Sequence, residues 1–178
     1  MPTVVIASPK GGAGKSTAAI ILGTELAHAG ADVVMLDCDP NHSLTLWADR
    51  GALPDRIKVL SNVTESDIVK TIKQYDTDGQ IVVVDLEGVA SRLVSRAISQ
   101  ADLVITPMRA TTLDATIGVR ALQLIAEEEE ALDRKIPHAV VFTMTKAIRS
   151  KQHSGIAESL AGQGVDLINP PLMERAAF

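Results

Sequence analysis

Aromatic side chains are almost missing: Trp47, Tyr75, Phe142 and Phe178 are the whole set. A core built without them must come from Val, Ile, Leu and Ala, the mix of a parallel sheet covered by helices. Cysteine occurs once, as Cys38, which excludes an intrachain disulfide and suits a reducing compartment. No apolar run approaches the roughly 18 residues that cross a bilayer. The short apolar stretch at the N-terminus has no signal-peptide layout, so the chain reads as soluble and cytoplasmic. His28, His42, His138 and His153 lie far apart with no paired-ligand spacing, which argues against a zinc site. A general positive field is also lacking, since the net charge is −5. With 178 residues, 46% of them hydrophobic, there is material for one domain with a real core.

The charge that is present is unevenly placed. Arg134, Lys135, Lys146, Arg149 and Lys151 fall in a stretch without Asp or Glu, and Glu127-Glu128-Glu129-Glu130 with Asp133 stand just before it. A local basic face on an acidic protein can hold a polyanion, because phosphate contacts act over about one Debye length, ~10 Å. The acidic run reads as a solvated face at the end of a helix whose dipole it opposes.

Apolar runs over Thr3–Ala7, Val33–Leu36, Ile57–Leu60, Ile81–Asp85, Leu103–Pro107, Ala139–Thr143 and Val165–Ile168 read as strands. Between them, helices are predicted over Ser16–Ala29 (Ile20, Ile21, Leu22 and Leu26 inward, Gly30 as its stop), Asn41–Arg50, Thr64–Gln74, Ser91–Ser99, Thr112–Leu132 and Ile148–Gln163. Strands alternating with helices give an α/β fold, a mostly parallel twisted sheet of about seven strands with helices on both faces. The chain reads as one domain, and Met173 to Phe178 looks like the first turn of a helix that does not continue.

Between the first strand and the first helix lies Ser8-Pro9-Lys10-Gly11-Gly12-Ala13-Gly14-Lys15-Ser16-Thr17. A strand feeding a glycine-rich loop that opens a helix is the setting of a phosphate-binding P-loop. Glycines let backbone N–H groups close around phosphate oxygens, and the helix start adds donors and a positive dipole end. Lys15 then carries charge to the β- and γ-phosphates, and the Ser16 hydroxyl ligates Mg²⁺. Three carboxylates, Asp37, Asp39 and Asp85, arrive at predicted strand ends, where ligands sit in open α/β folds. Asp85 is the Walker B candidate, holding a metal-bound water; the alternative for each acid is capping a neighbouring helix. Cys38, between two acids, reads as a small buried residue with a raised pKa, not a nucleophile. Glu87 is either a gate near the γ-phosphate or a solvated loop acid, and the usual exposure of Glu favours the second.

The loop departs from the ordinary pattern by Pro9 and a second lysine, Lys10. In this it resembles the deviant Walker A loop of the ParA/MinD family of partitioning and positioning ATPases. With Asp37-Cys38-Asp39-Pro40, the Asp85 strand, the Thr111-Thr112-Leu113-Asp114 helix start and the closing Glu174-Arg175-Ala176-Ala177-Phe178, the chain looks most like small plasmid ParA and VirC-type proteins. The resemblance implies a slow Mg²⁺-dependent ATPase with catalytic Lys10, Lys15 and Asp39. Lys10 reaches the nucleotide of a partner subunit, Asp37 sits close to the Mg²⁺ shell, and Asp39 orients the attacking water. Nucleotide contacts span Lys10 to Thr17, and adenine lies against Thr143 and Met144 and the segment at Pro170-Pro171. Asp85-Leu86-Glu87-Gly88 departs from the family's usual second switch. The implied partners are a second copy of the chain in an ATP-dependent homodimer, non-specific DNA through Lys146, Arg149 and Lys151, and a centromere-binding ParB-like stimulator, with no membrane anchor visible and a nucleoid location. Two other readings stay open: a MinD-like positioning ATPase at a membrane or protein array, and a P-loop metabolic ligase.

Overall fold

The computed structural model describes residues 2–51, 53–76, 79–88, 91–146 and 151–174; within these, the side chains of Ile117 and Lys151 fall outside the description. The strands are β1 (Thr3–Ile6), β2 (Asp32–Cys38), β3 (Ile57–Leu60), β4 (Gln80–Leu86), β5 (Leu103–Arg109), β6 (His138–Thr143) and β7 (Asp166–Ile168). They are interleaved with α1 (Lys15–His28), α2 (Ser43–Ala48), α3 (Ile68–Tyr75), α4 (Arg92–Ile98), α5 (Thr112–Leu132) and α6 (Lys151–Gly162). All pairings are parallel and the order is β3-β2-β4-β1-β5-β6-β7, the expected α/β architecture.

Alternation along the strands sorts side chains onto two faces. Val4, Ile6, Val33, Met35 and Val83 pack with Ala18, Ala19 and Ala27 of α1 and Leu44 of α2. Val5, Ala7, Val34, Leu36, Val82, Val84 and Val104 pack on the other face against α3, α4 and α5. Beneath α6, Phe142 and Leu160 meet in a smaller cluster, and the buried His153 ring lies 4.7 Å from Phe142.

Several elements differ from the sequence expectation. The face that α1 buries is small, Ala18, Ala19, Gly23 and Ala27, while Ile21 is exposed. Small residues let the helix lie close to the sheet: a Cβ on Gly23 would stand 2.8 Å from Met35 Sδ. The helix ends as expected at Gly30 (φ 96°), whose left-handed conformation lets Ala31 N–H return to Leu26 O. Expected to open at Thr64, α3 opens at Ile68 instead, because the Asp67 carboxylate accepts from Thr64 N–H and ties 64–67 into a turn. β2, β4 and β5 run further than their apolar cores suggest, so Asp37 and Asp85 lie within strands. The start of α6 expected at Ile148 lies outside the described residues.

The acidic run on α5 is not simply a solvated face. Glu128 accepts from Ser95 Oγ on α4 at 2.5 Å. Glu129 accepts from Ile136 N–H and Lys135 Nζ, both at 2.8 Å. The Lys135 bond, then the Ile136 amide, hold the Glu129 carboxyl below its usual range. Two of the acids therefore fasten the end of α5 to its neighbours, which offsets their unfavourable place on the helix dipole.

Candidate functional site

The strand order decides where the chemistry gathers. From β1 the chain winds outward to β2 and β3, returns at β4, and continues through β5 on the other side of β1. The carboxyl ends at such a reversal form a crevice, and the loop after β1 opens into it. Register then places Asp85 beside Ile6 of β1 and beside Asp37 of β2. Alternation turns both acids toward the face covered by α1, because their sequence neighbours Leu36, Cys38, Val84 and Leu86 belong to the opposite cluster. The first residues of α1, Lys15 and Ser16, meet them there.

Gly12 (φ 71°) and Gly14 (φ 86°) take the left-handed backbone that bends the loop round. A cavity of about 590 Å³ opens over Gly11 to Thr17, walled by Asp39, Pro40, Asn41, Ser43, Glu87 and Gly88, with Ile20 and Met144 among its apolar lining. Lys15 is buried and lines it. Asp39 also lines it; its Oδ1 accepts from the Asn41 amide and side chain, both at 2.8 Å.

Beneath the cavity the acids are under-satisfied. Asp37 Oδ2 accepts from Thr45 N–H (2.9 Å) and Thr45 Oγ1 (2.7 Å) in the first turn of α2. Its Oδ1, and both oxygens of the fully buried Asp85, have no hydrogen-bond partner among the described residues. Asp37 thus caps α2 with one oxygen, and its other oxygen has no hydrogen-bond partner among the described residues. Burial pushes Asp85 up to about 7, with Asp37 and Asp39 adding to the rise and Ser16 and Lys15 opposing it. Burial, with Asp37, Asp85 and Asp67, pushes the Cys38 thiol up to about 12, so it is unreactive. Among the described residues no group of three or more His, Cys, Asp or Glu could hold a metal alone. The orphaned oxygens beside Ser16 fit a different arrangement, a Mg²⁺ carried by phosphates, ligated by one hydroxyl and reached by the acids through water.

Lys10 is turned away from this cavity. Its ammonium donates to Asp114 Oδ1 in the first turn of α5, and Asp114 also accepts from Thr111 Oγ1 at 2.7 Å. Burial works against ionisation of Asp114, but the bonds from Lys10 and Thr111 hold its carboxyl below the usual range. The loop therefore turns one lysine, Lys15, into the cavity and the other, Lys10, onto α5.

A family model described as VirC1 protein matches residues 1–178. The chain belongs to the VirC1 family. It is 69% identical to "Protein ParA" of Rhizobium radiobacter over all of its own length and 81% of that protein's. Among solved structures, a putative plasmid partition protein of Borrelia burgdorferi bound to AMPPNP matches with a TM-score of 0.73 and 22% identity, over 98% of this chain and 87% of that one. Cobyrinic acid a,c-diamide synthase of Mycobacterium smegmatis, with bound ADP and magnesium, matches with a TM-score of 0.80 and 17% identity, also over 98% and 87%. At these identities the two structures establish the shared P-loop fold alone. The family assignment agrees with the ParA/MinD resemblance of the loop.

In this VirC1-family chain, residues from distant elements brace the loop. Thr143 Oγ1 donates to Ala13 O at 2.8 Å, and its Cγ2 would stand 3.3 Å from a Cβ on Gly14. Thr143, expected against adenine, supports the loop from behind and is not among the residues lining the cavity. Met144 (φ 50°) is exposed and lines the cavity. Pro170 and Pro171 are not among the lining residues; their turn carries Leu172 to Glu174 alongside Thr145. Arg109 donates to Gly12 O at 3.4 Å. Neither Arg109 nor the bracing role of Asp114 is visible from composition, although Thr111-x-x-Asp114 has the spacing of a capping box. Lys146 is exposed after β6. Arg149 and the closing Arg175 to Phe178 lie outside the described residues, and Lys151 is described by its backbone alone.

Glu87 departs from the expected solvated acid, being half-buried in the cavity wall. Gly88 beside it touches the loop's backbone: an added Cβ would stand 3.0 Å from Gly11 N and 3.1 Å from Lys10 C. Backbone cannot rotate aside as a side chain can, so Gly88→Ala must displace the loop. Overpacking costs about 1–3 kcal/mol, and calorimetry should show ADP affinity lowered roughly tenfold with the thermal transition still cooperative.

Proposed function

We propose that this chain is a Mg²⁺-dependent ATPase that acts as a switch in DNA partition. ATP binding joins two subunits, and Lys10 of each completes the other's site. The ATP-bound dimer binds DNA without sequence preference and releases it after hydrolysis. The observation that carries this reading is the exclusion of Lys10 from its own cavity beside a cradle that already holds Lys15. The name of the ParA relative and the nucleotide-bound partition protein of the same fold support it.

In the cradle, Lys15 and the amides of Gly11 to Thr17 neutralise and orient the phosphates. Bound Mg²⁺ supplies further charge neutralisation at the β- and γ-phosphates. Ser16 would hold it, and Asp37 and Asp85 would serve its hydration shell. Asp39, fixed by Asn41, keeps Oδ2 available to orient a water for attack on the γ-phosphate. Engagement of a partner requires Lys10 to leave Asp114. Lys146, Arg149 and Lys151 are proposed to contact DNA phosphates, and a ParB-like protein to stimulate turnover.

Sedimentation with ADP, ATP and a non-hydrolysable analogue, each with and without duplex DNA, tests the reading. A dimer formed only with ATP or the analogue, and a DNA complex formed only by that dimer and weakened by salt, are expected. A monomer throughout refutes it. Lys10→Ala should bind ATP within about twofold of wild type as a monomer yet form neither dimer nor DNA complex, because its missing contact lies across the interface. A normal DNA complex in that variant refutes the shared site.

A further inference from the structure

A second recess lies on the other side of the Glu87–Gly88 segment. It measures about 320 Å³ and sits between α4 and α5 at the carboxyl edge of the sheet. Val94 and Ile98 of α4 and Leu124 and Ile125 of α5 form its sides. It exists because the positions between them are small: Ala7, Gly88 and Ala121 leave space that larger residues would fill. An open, mostly apolar recess of this size with a few polar groups has the form of a small-molecule site. Ser8, Glu87 and Arg120 supply those groups. Glu87 also lines the phosphate cavity and so belongs to the wall between the two spaces. Arg120 is exposed and forms no ion pair among the described residues, so its guanidinium is the cationic group of the recess, and Glu87 is the acid among the described residues that line it.

We propose that this recess binds a small apolar monoanion, with a ring or branched chain between α4 and α5 and a carboxylate or sulfonate on Arg120, and that its occupancy tunes nucleotide affinity. The planar guanidinium suits a two-oxygen acid group. The route of coupling is short. Ser8 and Pro9 of the recess are residues of the phosphate-binding loop, and Gly88 touches the backbone of Lys10 and Gly11. A ligand that presses on these segments has different affinities for the empty and nucleotide-bound loop, and the effect must be reciprocal. The coupling rests on the nucleotide reading above; the site itself does not.

Anilinonaphthalene sulfonate, an aromatic monoanion, is the probe. Titrated into the full chain, it should saturate at one equivalent, while thermal unfolding stays cooperative, which separates site binding from a loosened core. Arg120→Glu, on the surface, should weaken the probe about tenfold, the scale of one charge-assisted contact. Ala121→Phe should abolish binding by filling the recess. A saturating probe should change the affinity for a fluorescent ADP analogue, and ADP should change the probe's affinity by the same factor. Probe binding that ignores Arg120→Glu refutes the site whether or not Ala121→Phe folds. Equal ADP affinity with and without probe refutes the coupling. If the ADP analogue does not bind at all, the nucleotide reading fails, and the probe titration still decides the recess.

Discussion

Lys15→Ala should lose nucleotide binding while keeping its fold. Lys15 opens α1, is buried, and lines the 590 Å³ cavity among the loop amides. A phosphate bound there is cut off from bulk water on the side of the sheet, so its charge depends on what the protein supplies. Removing one partner of such a buried charge pair costs about 2–5 kcal/mol, roughly thirty- to several-thousand-fold in affinity. Alanine is the strongest helix former, so α1 should persist. Lys15 is also one of the groups opposing the rise of Asp85, and its loss leaves that acid harder to ionise. Calorimetric titration with Mg²⁺-ADP provides the measurement. Affinity within threefold of wild type would mean that the cavity is not a phosphate site.

The other large effect runs in opposite directions for stability and function. Asp85 is fully buried, neither oxygen has a partner at hydrogen-bonding distance among the described residues, and burial pushes its carboxyl from 3.8 to about 7 against the opposing pull of nearby Ser16 and Lys15. A pKa raised in the folded state means that the native protein keeps a proton which the unfolded chain has already released. Stability of the nucleotide-free protein therefore falls as pH rises from about 4 to about 7, and the full penalty stands above that. At about 1.4 kcal/mol per unit, the span is worth roughly 4 kcal/mol. Asp85→Asn removes the charge at nearly constant volume, and its unpaired amide forfeits about 1–3 kcal/mol. A net gain of about 1–3 kcal/mol at pH 8, shrinking toward pH 4, should appear in chemical denaturation of the empty protein. The same variant should hydrolyse ATP at least about a hundredfold more slowly, having lost the acid proposed to serve the Mg²⁺ shell. A variant no more stable than wild type at pH 8 would show that Asp85 is already neutralised there.

These two residues divide what could be read in one dimension from what could not. The element order was legible because Val-, Ile- and Leu-rich runs alternate with helical periodicity, and each such signal spans a handful of neighbours. The loop was legible for the same reason, since Lys10 to Thr17 carry their chemistry consecutively. Asp37, Asp39 and Asp85 could be placed at the carboxyl edge because strand direction follows from chain order in a parallel sheet.

Local pattern misled where packing decides. Ile21 has the periodicity of a buried residue but is exposed, because α1 approaches the sheet on alanine and glycine. Glu128 and Glu129 read as solvated charge, yet they bond to α4 and to the segment between α5 and β6.

What the chain determined by itself was a phosphate-binding loop with a surplus lysine, set in an alternating α/β order. What only the tertiary structure decided was how that loop is held and where the surplus lysine points. Lys10 meets Asp114 across 104 positions, Arg109 meets Gly12 across 97, and Thr143 meets Ala13 across 130. No spacing rule reaches that far. Those contacts depend on β1 lying between β4 and β5, and on a register that sets Asp37 beside Asp85. Strand order and register are settled by burying both faces of the whole sheet at once, a condition that no short stretch of sequence contains.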